Sequence, residues 1–570
     1  MPFQLSPGVA VVEKDFTSIV PAVSTSVGAF AGAFAWGPVM EPNTVSSENE
    51  LVRRFGKPND SNADSFFSAA NFLGYANNLL LVRADAGHLN AIADSGATAV
   101  KVTNGENYLS TYASGTNSVG EWAAKYPGTL GNSLKVAMAD SQTFTGWTYA
   151  AEFDAAPGTS AYATASGGSN DELHVIVIDE DGLFTGTVGA VLEKFAFVSK
   201  ANDAKSSNGT NNYYKDAINS RSEYIWWMDH TATVSTSVAG VGVDGVAWGS
   251  AASSLFKDMS AAVNISLTLG TDDYALSDAE KIAGFQLFDN AEQYDVSLII
   301  AGKASATVAT SIINNVAEVR LDCVAFVSPQ DNSSGDVIIG STSTQITAIN
   351  TYRDALPSSS YAVMDSGYKY QYDRYNDKYR YIPLNADIAG LCARTDYTND
   401  AWFSPGGLNR GQVKNVVKLA VNPNKASRDL LYKNGVNPVV SFPGEGTVLF
   451  GDKTLLAKPS AFDRINVRRL FIVMEKAIAT AAKFQLFEFN DGFTRAQFKN
   501  LVEPFLRDVQ GRRGITDFVV KCDESNNTGE IIDRNEFVAD IFVKPNRSIN
   551  FITLNFVAAR SAINFSEIGA

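Results

Sequence analysis

Residues 276–302, LSDAEKIAGFQLFDNAEQYDVSLIIAG, decide the fold class because a helical pattern leads directly into a short apolar run. The same order recurs twice. The helical pattern of residues 306–320 precedes the apolar run 322–329, and that of residues 345–356 precedes the run beginning at residue 361. Helices alternating with short buried strands at this spacing are typical of parallel sheets. Residues 275–400 therefore predict a three-layer α/β domain with a largely parallel sheet.

Upstream of this domain, residues 27–39 and 79–85 also read as buried strands, with helices over 49–57 and 64–76. Residues 86–120 and 154–171 are rich in Gly, Ser, Ala, Thr and Asn, and strand-like runs lie at 134–140 and 172–179. We therefore expect a middle α/β domain from residues 26–85 and 190–400. Residues 86–189 would form an outer β-rich insertion within it.

The C-terminal region has a different pattern. Two amphipathic helices are predicted over 464–483 and 494–510, and Pro504 should kink or restart the second. Alternating strands follow at 515–523, 536–546 and 548–558. This order predicts a compact α+β core domain over 401–570, joined by an N-terminal arm, residues 1–25.

Composition restricts the function. The chain has 570 residues, a net charge of −15 and a pI near 4.8. An acidic surface repels phosphate backbones, which disfavours nucleic acid as a partner. No signal peptide is visible, and the most apolar early stretch is too short to span a bilayer. We expect a soluble protein that is made in a cytoplasm and does not bind membranes.

Candidate catalytic and metal-binding residues do not form known motifs. No histidine has the spacing of a metal-ligand pair, and no cysteines form a CxxC pair. A Cys–His or Ser–His pair that meets only in the fold stays open. The histidines and cysteines of the chain are His88, His174, His230, Cys323, Cys392 and Cys522. We expect no cofactor and no metal, His174 as a strand residue with its ring hydrogen bonds satisfied, and each cysteine as a small core residue.

The segment FPGEGTVLFGDKT, residues 442–454, approaches the P-loop pattern. Gly446 and Gly451 have the required spacing, but Asp452 separates the second glycine from Lys453 and Thr454. A P-loop needs Gly-Lys-Ser/Thr in succession, so that backbone N–H groups and the ammonium group converge on phosphates. A turn between two strands is the better prediction.

Two further motifs have structural interpretations. Asp179, Asp181 and Gly182 lack the spacing of a calcium loop, which favours a turn. Basic residues and six tyrosines interleave over residues 368–381, a mixture that can bind single-stranded nucleic acid. The period-two spacing and the turn at 376–377 favour instead a β-hairpin with cross-strand tyrosine pairs.

Three C-terminal segments, residues 403–455, 463–478 and 522–558, resemble contractile-tail sheath proteins of myovirus phages. SPGVAVVEKD at 6–15, VGAFAGAFAWGPV at 27–39 and KYPGTLGNSLKV at 125–136 resemble the same family. The match is in order and spans almost the whole chain. The outermost inserted domain of larger members is reduced here to a stretch within about 86–122.

This resemblance implies a structural protein rather than an enzyme. Subunits would stack as six-fold rings around a tail tube and contract on a signal from the baseplate. The further partners would be the tail terminator protein and other copies of the chain. A type VI secretion sheath or a phage-tail-like bacteriocin is an alternative in the same machinery, and a cytoplasmic α/β enzyme is an alternative of another class.

The resemblance also implies that both chain ends are arms that join neighbouring subunits. Alternating apolar residues at the termini fit strands without an obvious partner in their own chain. These residues are Val9, Val11, Val12, Ile563 and Phe565.

The core domain would lie near the tube. Residues 463–513 contain ten basic and six acidic residues although the whole chain is acidic. The candidate tube-facing residues are Lys499, Arg507, Arg512 and Arg513. The alternative is a solvated helix face on which Lys499, Glu503 and Arg507 pair at i, i+4 spacing.

Overall fold

The structure, a computed structural model, describes residues 24–115, 119–231, 248–331, 336–550 and 552–553. These residues divide into two compact units. The larger contains Ser24–Asn399 and Pro405–Asp463, and the smaller contains Asp400–Ser404 and the described residues from Arg464 onward.

The strands, in chain order, are β1 (Gly28–Gly32), β2 (Asn43–Val45), β3 (Leu79–Arg83), β4 (Trp122–Ala124), β5 (Leu134–Ala139), β6 (Glu172–Asp179), β7 (Ala190–Ser199), β8 (Ile225–Trp227), β9 (Val263–Ser266), β10 (Leu298–Ile300), β11 (Val324–Val327), β12 (Ala362–Asp365), β13 (Tyr368–Asp373), β14 (Lys378–Pro383), β15 (Lys418–Leu419), β16 (Val436–Asn437), β17 (Val439–Phe442), β18 (Gly446–Leu449), β19 (Ile515–Lys521) and β20 (Asp540–Pro545).

The α-helices are α1 (Glu48–Phe55), α2 (Ala63–Leu73), α3 (Gly105–Thr111), α4 (Ala161–Ser166), α5 (Tyr214–Arg221), α6 (Asp278–Gln286), α7 (Ala306–Ser311), α8 (Glu318–Arg320), α9 (Thr342–Asp354), α10 (Asn385–Thr398), α11 (Lys425–Lys433), α12 (Ile465–Ala482), α13 (Gly492–Gly511) and α14 (Gly529–Asp533). A π-helical segment, Ile312–Ala317, joins α7 to α8.

The central sheet of the larger unit has seven strands in the order β16-β12-β11-β10-β1-β3-β2. Every pair is parallel except β2–β3. Strand β1, GAFAG, lies inside the sheet between β10 and β3 and is fully buried, with Ala29 opposite both Ile299 and Leu80. Gly28 has no space for a side chain, because a Cβ there would meet the Phe72 ring at 2.6 Å. The predicted, largely parallel sheet is confirmed.

Local sequence explains where the helices of this unit begin. Ser277 caps α6 through a reciprocal capping box with Glu280, and the side chains of Ser305 and Ser341 cap α7 and α9. Each cap satisfies a backbone N–H that has no partner within the helix. The helix-then-strand order of the sequence is thereby reinforced at each junction.

The β-rich region extends further along the chain than the sequence indicated. Its four-stranded sheet has the order β7-β6-β5-β9, and β4 pairs with β8. Residues 190–199 and 263–266 therefore pair with the insertion, although the predicted insertion ended at residue 189. One apolar core that includes Trp122, Val136, Val175 and Leu267 explains this, since it needs strands from both parts of the chain.

The predicted start of the C-terminal domain at residue 401 also differs from the observed division. Residues 405–463 belong to the larger unit, because β16 extends the central sheet beside β12 and β15 pairs with β13.

The smaller unit packs α12, α13 and the antiparallel pair β19–β20 around one core. Leu470 and Met474 of α12 meet Phe498 and Val502 of α13 in that core. The compact α+β unit is confirmed. Pro504 does not restart the second helix, since α13 runs without a break from Gly492 to Gly511. The predicted strand at 548–558 was not found at residues 548–550 and 552–553, and its other residues lie outside the described part.

Candidate functional site

The smaller unit holds the four cations that were expected to face the tube. Lys499 and Arg507 both pair with Glu503, at 3.7 and 3.6 Å. These are the i, i+4 pairs of the solvated-face alternative, and such exposed pairs contribute little stability. Their presence does not decide whether the face also meets a partner, so a tube-facing role stays a prediction.

Arg512 is bound within its own unit. Its guanidinium lies 2.6 Å from Asp400 Oδ1 and 2.9 Å from Asp508 Oδ2. It also lies 4.8 Å from the centre of the Trp402 ring, and Trp402 Nε1 donates to the Arg512 carbonyl oxygen at 3.1 Å. Two carboxylates and a ring fix the orientation of this side chain. Sequence reasoning missed this role because Asp400 and Trp402 are distant in the chain.

Arg513 follows the end of α13 in a left-handed conformation, with φ of 67°. Its side chain is exposed, and its carbonyl oxygen accepts a hydrogen bond from Asn546 Nδ2 at 2.8 Å. That hydrogen bond holds the backbone next to the end of β20. Arg507 pairs with one carboxylate and its side chain is 72% exposed, whereas Arg512 pairs with two and its side chain is 48% exposed, so the predicted contact with another protein is argued below from Arg507 and Arg513.

The predicted arm residues Val9, Val11, Val12, Ile563 and Phe565 lie outside the described residues. The structure does describe a strand pair, β19 and β20, to which an arm could add a further strand. β19 and β20 pair only with each other in the described part of the chain, which leaves one edge of each strand without a partner there. Val519 and Phe542 face each other across the pair and are exposed.

The segment between α12 and α13, together with the start of α13, carries a cluster of exposed aromatic and aliphatic side chains. The sequence did not predict this exposure. Asn490 fixes the base of this cluster through hydrogen bonds from Nδ2 to Asn527 and to the Glu536 carbonyl oxygen. Phe487 is fully exposed at a φ of 72°, a rare combination for a bulky residue. The cluster consists of Phe484, Leu486, Phe487, Phe489 and Phe493.

The near-P-loop is a β-hairpin, as predicted. Gly446 opens β18, which pairs with β17. Lys453 Nζ donates to the Tyr432 carbonyl oxygen at 2.7 Å, and the Tyr432 hydroxyl donates to Asp452 at 3.2 Å. The lysine is used within the fold, and in residues 454–460, all of which the structure describes, no helix begins as it would after a phosphate-binding loop.

The histidines have structural surroundings. The His174 ring contacts the Ala155 carbonyl oxygen at 2.9 Å and accepts from the Phe197 N–H at 3.0 Å, which confirms the predicted satisfied strand residue. Burial lowers the pKa of His88 to about 3 and that of His230 to about 4. The three cysteines are buried, as predicted for small core residues, and the described part of the chain contains no disulfide between them. Asp179 accepts the N–H groups of Phe184 and Thr185 in a turn.

The predicted tyrosine hairpin is also confirmed. Strands β13 and β14 pair with Tyr370 opposite Tyr381 and Tyr372 opposite Tyr379.

In the described parts of the chain, we find no group of acidic, histidine or cysteine residues arranged to hold a metal ion. Among those same residues, no helix is both long and apolar enough to cross a membrane.

Comparisons with known proteins identify the family. The family model of the phage tail sheath protein central domain matches residues 270–455, and that of the phage tail sheath C-terminal domain matches residues 457–559. The model of the tail sheath protein Gp18 domain III N-terminal region matches residues 25–84.

Whole-chain relatives agree. The tail sheath protein of Vibrio phage KVP40 is 34% identical over 676 aligned positions, which cover 99% of each chain. That of Enterobacteria phage T4 is 32% identical over 685 positions, again 99% of each chain. Because these alignments are longer than the 570 residues of this chain, the relatives contain segments that this chain lacks.

Two crystal structures have a similar fold. The sheath tail protein of Listeria innocua has a TM-score of 0.53 at 12% identity, covering 92% of this chain and 96% of that one. The sheath tail protein of Desulfitobacterium hafniense has a TM-score of 0.50 at 11% identity, covering 95% and 100%. With the family models and the whole-chain relatives, they lead to one conclusion: this chain belongs to the family of phage tail sheath proteins.

Proposed function

We propose that this chain is the structural subunit of a contractile phage tail sheath. It polymerises as stacked six-fold rings around the tail tube and shortens to drive the tube through the host cell envelope. The similarity to tail sheath proteins over 99% of the chain supports this proposal most strongly. Its partners are other copies of itself, the tail tube, the baseplate and the tail terminator. It is assembled in the host cytoplasm and ends in the virion tail.

A contracting polymer without a nucleotide site must store free energy in its assembled state. One sequence can pack in two ways that differ in free energy by about a few kcal/mol per subunit. Summed over all subunits of the polymer, that difference is large enough to drive contraction. The near-P-loop supports this, since Lys453 is held within the fold. Purified protein should neither hydrolyse ATP nor contain stoichiometric zinc. ATP turnover that disappears in Lys453→Ala would contradict the proposal.

Electron microscopy of purified protein tests the polymer directly. The proposal requires tubes of stacked rings, and a small oligomer of fixed size at all concentrations would contradict it.

We further propose that the chain ends add strands to the open edges of β19 and β20 in neighbouring subunits. An unpaired strand edge presents N–H and C=O groups to any chain that can align with it. Removing residues 1–16 or 561–570 should abolish tubes without changing the thermal unfolding midpoint of the monomer. Normal tubes from either truncated chain would refute the arms.

A further inference from the structure

A basic surface lies on the larger unit of this acidic protein. Residues 410–433 contain six cations and a single carboxylate, Asp429, whereas the whole chain has a net charge of −15. Five of these cations define what we call the basic face, namely Lys414, Lys418, Lys425, Arg428 and Lys433.

Two β-hairpins hold this segment in place. β15 pairs with β13 of the tyrosine hairpin. On the other side, the Asn422 amide exchanges two hydrogen bonds, of 3.0 and 3.1 Å, with the backbone of Ser441 in β17. The cations are thus presented on a folded surface rather than on a free loop.

Aromatic rings lie beneath several of these cations. Lys418 Nζ is 4.9 Å from the centre of the Tyr370 ring, and the Arg428 guanidinium is 5.6 Å from Phe442 and 5.7 Å from Phe450. A ring attracts a cation weakly and leaves its remaining hydrogen-bond donors available. None of the ion pairs found among the described residues of the larger unit involves one of the five cations, although Lys414 Nζ donates to the Gly74 carbonyl oxygen at 2.6 Å.

The smaller unit has a surface of opposite charge. Residues 523–536 include four exposed carboxylates that form no ion pair with a described residue of that unit, while Glu536 pairs with Arg534 at 3.0 Å. We call these four, Asp523, Glu524, Glu530 and Asp533, the acidic segment. Asn527 holds it through hydrogen bonds with the backbone of Val538.

We propose that the basic face of one copy binds the acidic segment of a second copy. Neither surface forms an ion pair with a described residue of its own unit, and a homopolymer supplies the complementary charge on every neighbouring subunit. The contact rests on the proposed sheath function and is separate from strand exchange by the chain ends. Because both surfaces are exposed, salt should screen their attraction and the contact can break and re-form when subunits shift.

Charge reversal tests this pairing. The basic-face variant carries Lys418→Glu, Lys425→Glu and Lys433→Glu, and the acidic-segment variant carries Glu524→Lys, Glu530→Lys and Asp533→Lys. A third chain carries all six changes. A matched control reverses three exposed lysines elsewhere, Lys57, Lys205 and Lys458. Polymer is measured by sedimentation at about 0.1 M salt, where charges interact over roughly 10 Å.

Each single-surface variant should lose its sedimenting polymer, and the six-change chain should recover it because opposite charges face each other again. The control should assemble like the wild type. Assembly of either single-surface variant like the control would overturn the pairing. So would a six-change chain that keeps the wild-type unfolding midpoint but does not assemble.

If a reversal variant unfolds, the neutral series Lys418→Gln, Lys425→Gln and Lys433→Gln replaces it. Polymers of that series should then dissociate at lower salt than wild type, and an unchanged salt midpoint would overturn the pairing.

Two more measurements distinguish this contact from tube formation and from nucleic-acid binding. Sedimentation velocity at low concentration measures whether two copies form a dimer that dissociates as the salt concentration rises. This dimer tests the contact between the basic face and the acidic segment even if wild type forms no tubes and the sheath proposal fails. A fluorescent single-stranded oligonucleotide that binds wild type, but not the basic-face variant, would assign the surface to nucleic acid and overturn the proposal.

Discussion

Lys369 and Asp387 form an ion pair from which water is excluded. Both side chains are fully buried, and Lys369 Nζ lies 2.8 Å from Asp387 Oδ1. The lysine also donates to the Lys414 carbonyl oxygen, and the Tyr75 hydroxyl donates to Asp387. Breaking such a pair leaves an uncompensated buried charge, whereas replacing both partners with apolar residues removes that cost.

We therefore expect Lys369→Met to lower the free energy of unfolding by about 3–5 kcal/mol. The double variant Lys369→Met, Asp387→Leu should recover most of the loss. Urea unfolding of the three chains measures both effects. If the double variant is no more stable than the single one, the uncompensated charge of Asp387 is not the cause of the lost stability.

A second buried carboxyl, Asp365, forms no ion pair with any residue that the structure describes. It accepts hydrogen bonds from the Ser328 hydroxyl at 2.7 Å and from the Gly367 N–H at 2.8 Å, and Asp387 is the carboxyl that acts on it electrostatically. Burial raises the pKa of Asp365 to about 8. In the unfolded chain an aspartate ionises near pH ~4, so the folded state holds the extra proton between these values.

The stabilisation from protonated Asp365 is fully present below pH ~4 and is lost progressively as the pH rises to about 8. Wild type should therefore lose stability relative to Asp365→Asn over this range, since asparagine does not titrate. Urea midpoints of both chains at several pH values give the comparison. Parallel pH profiles would mean that Asp365 is ionised in the folded protein.

At the scale of elements, α13 continues through Pro504 although proline lacks the N–H that would bond to the preceding turn. Pro504→Ala restores that donor, and we expect it to stabilise the protein by about 1–3 kcal/mol. Thermal unfolding measures the gain, with the exposed Ala496→Gly in the same helix as a control that should destabilise. A lower midpoint for Pro504→Ala would indicate that the surroundings of α13 require the proline.

Elements with a clear local period were predictable from sequence. The tyrosine hairpin, α12 and the parallel strands were found because alternation or helical spacing reflects which face is buried. The extent of the β-rich insertion was not predictable, since β7 and β9 are assigned to it only by pairing with β6 and β5. The exposed Phe487 was missed for a related reason, because apolar residues after a helix resemble a continuation of its buried face.

For the candidate site, sequence identified the cations but not their partners. The sequence predicts Arg512 as a tube-facing cation, which stays a prediction, but it does not reveal that Asp400, 112 positions away, holds the guanidinium. Charge counts along a chain show where cations concentrate. They do not show which are already neutralised by distant carboxylates.

At the scale of the whole molecule, the prediction that the smaller unit contacts the tail tube rests on the exposed cations of that unit. We expect Arg507→Glu with Arg513→Glu to prevent sheath from coating purified tubes at low salt, while polymers without tubes still form. Lys57→Glu with Lys205→Glu reverses the same number of exposed charges and should coat tubes normally. Electron microscopy of mixtures at low and high salt gives the result. Normal coating by the arginine variant would exclude this face from tube contact.

The order of strands in the central sheet has a consequence for synthesis. β1 lies between β3 and β10, but β10 follows β3 by about 200 residues. At ~5–20 residues per second, a ribosome needs roughly 10–40 s to make that stretch. During this time the edge of β1 that later pairs with β10 has no neighbour. β1 itself has no polar side chain. Nascent chains interrupted before residue 300 should therefore be aggregation-prone and should recruit chaperones that bind extended apolar segments.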